Sequence, residues 1–184
     1  MSTVPAIRPA GPDDVPAIHR MIRRLAEFEH LLDAVTATEA DLHAALFGPR
    51  PVAEALVAET AGAAGAAGAA GAGGAAGAGE AAGARGAAVG FALFFTTYST
   101  FVGRPGLYVE DVYVEPAHRG RGIGRGLLME VIRLARERGC GRVEWAALGW
   151  NAPAIRMYER MGARAMDEWR LFRLSAEALT RLAT

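Results

Sequence analysis

The chain of 184 residues contains no lysine; all twenty of its permanently basic side chains are arginine. That absence excludes lysine Schiff-base chemistry. It also excludes a P-loop, which needs a lysine followed by Ser or Thr. A single cysteine, Cys140, cannot form an intramolecular disulfide, which fits a reducing, cytoplasmic setting. It lies between two glycines at the end of a helical pattern with no histidine nearby, so it reads as an inert thiol rather than a nucleophile. Net charge is absent as well: twenty acids balance the arginines, leaving no global field to recruit nucleic acid or a membrane surface. No stretch of about 18 membrane-like apolar residues occurs, and no basic segment followed by an apolar run opens the chain, so no signal peptide is expected. No metal site is expected either.

What is abundant is alanine and glycine. Between Ala61 and Ala88 every residue except Glu80 and Arg85 is one or the other. Frequent glycine opposes helix, and small side chains leave nothing to pack. The tract reads as a mobile surface loop between two strands, tolerated because closure entropy grows slowly with loop length. A single domain spanning residues 1–184, with this insertion at 61–88, is the expected organisation.

Outside the tract, periodicity alternates between strand and helix. Strands are predicted at residues 4–9, 52–58, 89–97, 107–114 and 142–148, with residues 164–166 and 169–174 completing the sheet. Val15, Ile18, Ile22, Leu25 and Ala26 form one face of a first helix. Thr38-Glu39-Ala40-Asp41 has capping-box form before a second helix ending at Phe47. A third helix covers residues 127–138, a fourth is capped by Asn151 and ended by Gly162, and a short last one begins near Ser175. This order predicts an α/β (α+β) fold with helices flanking a central sheet.

The most informative segment is Pro-Ala-His-Arg-Gly-Arg-Gly-Ile-Gly-Arg-Gly at residues 116–126. It joins a strand to a helix, and glycines at 120, 122 and 124 let main-chain N–H groups converge on one point at a helix N-terminus. Such a point has unpaired donors and a partial positive charge, and it suits phosphate. The dinucleotide fingerprint G-x-G-x-x-G is absent, because its sixth position falls on Arg125 or Leu127. The alternative is a glycine-rich turn with no ligand. Arg121 and Arg125 either pair with phosphate or are solvated residues of the first helical turn.

Glu110 is the candidate general base. It sits on the strand that leads into this turn, between Val109 and Val112 in an apolar run, and burial there would raise its pKa. Strict alternation would place Tyr108, Glu110, Val112 and Val114 on one face and Asp111 on the other. The plainer reading of Glu110 is a solvated strand residue. Tyr158, one turn from Ile155 and from Met161, reads on spacing alone as a core ring with its hydroxyl at the surface.

Arg119-x-x-Gly122-x-Gly124 resembles the Arg/Gln-x-x-Gly-x-Gly/Ala signature of the GNAT superfamily of acyl-CoA-dependent N-acyltransferases. Glu110-Asp111-x-Tyr113-Val114, Trp150-Asn151, Tyr158-x-x-x-Gly162-Ala163 and Trp169-Arg170-Leu171-Phe172 are similar to the spermidine/spermine (diamine) N-acetyltransferase branch. So are Ile7-Arg8-Pro9-Ala10, residues 25–29 and Thr38-Glu39-x-Asp41-Leu42. The resemblance covers nearly the whole chain outside the Ala/Gly tract. It implies a mixed, mostly antiparallel sheet splayed at an acyl-CoA site, with acetyl-CoA as cofactor. It further implies direct attack in a ternary complex by a primary amine of a small molecule, a polyamine, diamine or lysine-like amino acid, in an enzyme that pairs as a homodimer.

By the same resemblance Tyr158 protonates the departing thiolate and Glu110 is the base. Backbone groups of Val112, Tyr113 and Val114 receive the pantetheine arm. The turn from Arg119 through Gly120, Arg121, Gly122, Ile123 and Gly124 to Arg125 holds the pyrophosphate, and Asn151 contacts the cofactor near the thioester. Phe28, Glu29, Asp111 and Glu144 line the amine pocket. Some positions depart from the polyamine pattern: Phe28 replaces a tyrosine, Glu144 a histidine, and only Asp167 and Glu168 remain of an acidic cluster. Tyr98-Ser-Thr-Phe101 and Leu148-Gly-Trp-Asn lean toward the sister group acting on thialysine. A protein amine acetyltransferase and a non-catalytic acyl-CoA-binding module are the competing functions.

Overall fold

A computed structural model describes residues 5–61 and 86–183. The reading of the Ala/Gly tract as a loop therefore lies outside the described residues for positions 62–85, as does Val4 of the first predicted strand. The chain forms two compact units, residues 1–146 and 147–184.

The first unit is built on a five-stranded sheet in sequential order: β1 (Ala6–Pro9), β2 (Glu54–Glu59), β3 (Ala88–Ser99), β4 (Arg104–Val114) and β5 (Arg142–Trp145). The first four strands pair antiparallel, and β5 runs parallel to β4. Where β2 meets the tract, Thr60 N donates to Ala87 O at 3.0 Å and Ala87 N donates to Thr60 Oγ1 at 3.1 Å. This pins the ends of the two strands against each other.

Helices cover both faces of the sheet. On one side, α1 (Val15–Phe28) and α2 (Glu39–Phe47) bring Val15, Ile18, Met21, Leu42 and Leu46 onto Ala55, Val57, Phe91 and Tyr113. The capping box of α2 forms as the pattern implies: Asp41 N donates to Thr38 Oγ1, and Thr38 N donates to Asp41 Oδ2 at 2.9 Å. On the other side, α3 (Ile123–Glu137) buries Ile123, Leu127, Leu128, Val131 and Ala135, and it packs on β2, β3 and β4. The helix begins four residues earlier than its apolar stripe suggests, because Gly124 and Gly126 already lie in its first turn.

The register of β3 on β4 changes at one place. Leu93 pairs with Asp111, yet the next residue, Phe94, pairs with Val109, so Glu110 is an extra, unpaired residue. This bulge overturns the strict alternation predicted for β4. Tyr108, Asp111 and Tyr113 share the face toward α1 and α2, with ring contacts Phe95–Tyr108 at 5.3 Å and Phe91–Tyr113 at 6.5 Å. Leu107, Val109, Val112 and Val114 share the opposite face.

In the second unit, α4 (Ala152–Arg160) and α5 (Ala176–Leu182) are joined by residues without strand pairing. The strands predicted at 164–166 and 169–174 are not formed. Their apolar residues draw a strand pattern, but Met166, Trp169, Leu171, Phe172 and Leu174 are exposed and lack a ladder partner that would satisfy an extended backbone. The strand predicted at 142–148 also stops early, at Trp145. Among the described residues no helix is long and apolar enough to cross a membrane.

Candidate active site

The glycine turn is a consequence of backbone conformation. Gly120 (φ 75°) and Gly122 (φ 80°) are left-handed, a region that costs an L-residue roughly 1–2 kcal/mol. A Cβ built on either would meet nothing within 4 Å, so the space in front of both remains open to a ligand. Gly122 is the N-cap of α3 and provides no side-chain acceptor. Gly126 N donates to Gly122 O at 2.8 Å, which leaves the amides of the preceding positions without an intrahelical carbonyl. Arg121 is exposed beside them. Converging amides, a helix dipole and open volume meet what a pyrophosphate requires.

The strand leading into the turn has a free edge. Pairing with β5 covers only residues 106–109, against Arg142–Trp145. From Glu110 to Val114 the β5-facing backbone of β4 has no strand partner among the described residues, so Val112, Tyr113 and Val114 present main-chain groups there. The Tyr113 side chain serves elsewhere: it is 4% exposed, and its hydroxyl donates to Glu115 Oε2 at 3.4 Å.

Three carboxylates gather where the bulge meets the end of α1. Burial pushes Asp111 up to about 6, and the charges of Glu110 and Glu29 add to the effect. Glu29, the C-cap of α1, is also raised by burial. Glu110 itself is exposed, so the desolvation expected for it falls on its neighbour Asp111. Glu144 pairs in register with Tyr108, and its Oε2 lies 2.7 Å from Arg142 Nε. A partly buried carboxylate with two acidic neighbours, and with no ion pair to a cation among the described residues, favours a cationic guest.

Phe28 closes the cluster on the α1 side and touches the phosphate turn through an arginine that sequence reasoning assigned only to the turn. The guanidinium of Arg119 stands 5.2 Å from the Phe28 ring centre and 5.5 Å from that of Tyr113, and Nε donates to Val114 O at 2.9 Å. Arg24, one helical turn before Phe28, donates to Glu115 Oε2 at 2.5 Å. Nothing in the sequence pattern signals that pair, whose members are 91 positions apart.

The remaining candidates belong to the second unit. Asn151 caps α4, with Oδ1 accepting from Ala154 N at 3.4 Å. This leaves its amide nitrogen available. Tyr158 lies in the last turns of α4, partly buried.

Residues 67–163 match the Acetyltransferase (GNAT) family. The chain is 39% identical over 180 residues to a thialysine N-epsilon-acetyltransferase of Sus scrofa, with 96% of each chain covered. It is 34% identical to an L-ornithine N5-acetyltransferase of Arabidopsis thaliana, covering 94% of this chain and 85% of that protein. A crystal structure described as a probable acetyltransferase superposes with a TM-score of 0.69 at 18% identity, over 92% of this chain and 97% of the other, and supports the fold. An open glycine turn at a helix N-terminus, an unpaired sheet edge and a sequence match along nearly the entire chain lead to one assignment: the protein belongs to the GNAT acetyltransferase family and is an N-acetyltransferase.

Proposed function

We propose that the enzyme moves the acetyl group of acetyl-CoA to a primary amine of a small cationic molecule, a diamine, polyamine or lysine-like amino acid. The observation that carries this reading is the juxtaposition, on one strand, of an open glycine turn and a carboxylate cluster. The cluster is Glu29, Glu110 and Asp111, with a partly buried member at its centre. Names of the relatives, acting on thialysine and ornithine, point to amino acids bearing a side-chain amine. The reading takes residues 1–184 as one catalytic domain with the insertion at 61–88.

Acetyl-CoA supplies an activated thioester; amides of residues 120–125 would hold its pyrophosphate, and the β4 edge at 112–114 its pantetheine arm. The acceptor arrives as an ammonium with a pKa of about 10.4, and the departing thiolate takes up a proton near about 8.5. In this reading Glu110 removes the ammonium proton, Tyr158 gives its phenolic proton to sulfur, and Glu29, Asp111 and Glu144 hold the cation. Burial of Asp111 favours a second assignment, in which it is the base and Glu110 the cation partner. The two are separated by the pH–rate profiles of Glu110→Gln and Asp111→Asn, since only loss of the base removes the acidic limb.

The absence of net charge supports a small-molecule partner over nucleic acid, and the lone cysteine supports a cytoplasmic setting. Exposed Trp169, Leu171 and Phe172 support a homodimer. The test is thiol release from acetyl-CoA across a panel of thialysine, lysine, ornithine and polyamines. Amine-dependent release is expected. Coenzyme A binding without release for any amine would indicate a binding module, and release only with peptide amines would indicate a protein acetyltransferase.

A further inference from the structure

Arg119 opens the signature segment, yet its guanidinium is already engaged by protein groups. It faces two rings at 5.2 and 5.5 Å, Phe28 on α1 and Tyr113 on β4, while Nε bonds to Val114 O. The three partners come from the two elements that border the site. Phe28 ends α1 one residue before Glu29, and Tyr113 and Val114 end β4 just before the turn. A second link runs alongside, since Glu115 accepts from both Arg24 of α1 and Tyr113. The turn's own glycines impose no such restraint: beyond their chain neighbours, no atom lies within 4 Å of where the Cβ of Gly120 or Gly122 would be. A left-handed turn with open space around it is held only as well as its flanks are held.

We propose that Arg119 is a positioning residue whose side chain, seated on Phe28 and Tyr113, ties the amine-binding end of α1 to the pyrophosphate turn. The affinity for acetyl-CoA then depends on an aromatic ring that touches no phosphate. A planar guanidinium suits this task because it can stack on a ring and donate in its own plane at once, whereas a charge serving only as a phosphate partner needs no ring. Phe28 is well placed to report on the link, because at 38% exposure its replacement leaves the buried core intact.

This inference rests on the acetyl-CoA reading, and the experiment separates the two. Titration calorimetry with coenzyme A is run on the unmodified enzyme, Phe28→Leu, Phe28→Tyr, Arg119→Met and the Phe28→Leu/Arg119→Met double variant, with melting temperatures as a folding control. Phe28→Leu is expected to weaken coenzyme A binding about three- to tenfold. Phe28→Tyr, which keeps a ring, should restore it. In the Arg119→Met background the Leu substitution should add nothing further. Equal affinity of Phe28→Leu and the unmodified enzyme, or additive losses in the double variant, would overturn the proposal while leaving the acetyl-CoA reading standing. Absence of coenzyme A binding by the unmodified enzyme would overturn both. Should Arg119→Met fail to fold, the Leu and Tyr pair decides alone.

Discussion

Replacing Asp111 by asparagine removes a charge that the fold holds against its own preference. The side chain is partly buried on the α1-facing side of β4, and Glu110 and Glu29 repel it, so its pKa rises from 3.8 to about 6. A group with a raised folded pKa contributes stability that is complete below the unfolded value and is lost as pH rises through the folded one. At about 1.36 kcal/mol per pH unit, the gap corresponds to about 3 kcal/mol lost between roughly pH 4 and 7. About 1 kcal/mol of this is lost by pH 4.5, so a further 2 kcal/mol or so disappears by pH 7.5. Asparagine is nearly isosteric with the protonated acid and does not titrate. Urea unfolding of both proteins should therefore show Asp111→Asn ahead of the parent by about 1 kcal/mol at pH 4.5 and by about 3 kcal/mol at pH 7.5. Titrating groups outside the Glu29–Glu110–Asp111 cluster are common to both and cancel in the difference. A constant difference, or one that narrows with pH, would refute the burial of this charge. A more stable variant that binds a cationic amine less well would show what the strain is for.

Three further outcomes follow from the geometry. Tyr158→Phe should lower turnover by about 10²- to 10⁴-fold if the phenol is the proton donor, with coenzyme A affinity by calorimetry nearly unchanged; unaltered turnover rejects that role. Gly122→Ala should destabilise the protein by about 1–2 kcal/mol through its left-handed backbone, and it should raise the acetyl-CoA KM. In contrast, alanine at Gly124, whose Cβ would sit an ordinary 3.7 Å from Val114 Cγ2, should leave thermal stability nearly unchanged. Thr38→Ala should cost about 1 kcal/mol in a denaturant melt by removing the oxygen that accepts from Asp41 N, and it should leave KM for both substrates alone.

Much of this architecture was legible because it rests on local rules. Apolar spacing marks the faces of α1 and α3, Thr38 and Asp41 announce a cap, and the glycines at 120 and 122 announce a tight turn into a helix. What escaped depends on long-range pairing. The bulge at Glu110 has no marker in an otherwise regular Val-Glu-Asp-Val run, since it is set by how β3 and β4 register on each other. Residues 164–174 carry the apolar content of strands but lack neighbours to bond with, and composition cannot supply a partner. The Arg119–Phe28 contact joins residues far apart in sequence through a turn whose direction only the fold defines.

The bulge also explains why two adjacent carboxylates differ so much. Without it, strict alternation would put Glu110 on one face with Val112 and Val114 and leave Asp111 on the other with Val109. A carboxylate facing that aliphatic layer would be buried with no guest and no counter-ion, at prohibitive cost. The extra residue shifts the register, so Val112 and Val114 continue the aliphatic layer begun by Leu107 and Val109. It leaves Asp111 beside Glu29 on the α1 side and Glu110 exposed at the unpaired position. The same irregularity lies where β5 stops pairing with β4, one residue after Val109. One inserted residue thus separates the two carboxylates into a solvated and a desolvated one, and it coincides with the start of the free strand edge. Deleting Glu110 should therefore do more than remove a charge. It should close the bulge with Asp111 still facing α1 and with Val112 and Val114 still in the layer of Leu107 and Val109, so its stability should stay close to that of Glu110→Gln in the same urea melt. A stability far below that of Glu110→Gln would show that β4 cannot pair with β3 without the extra residue.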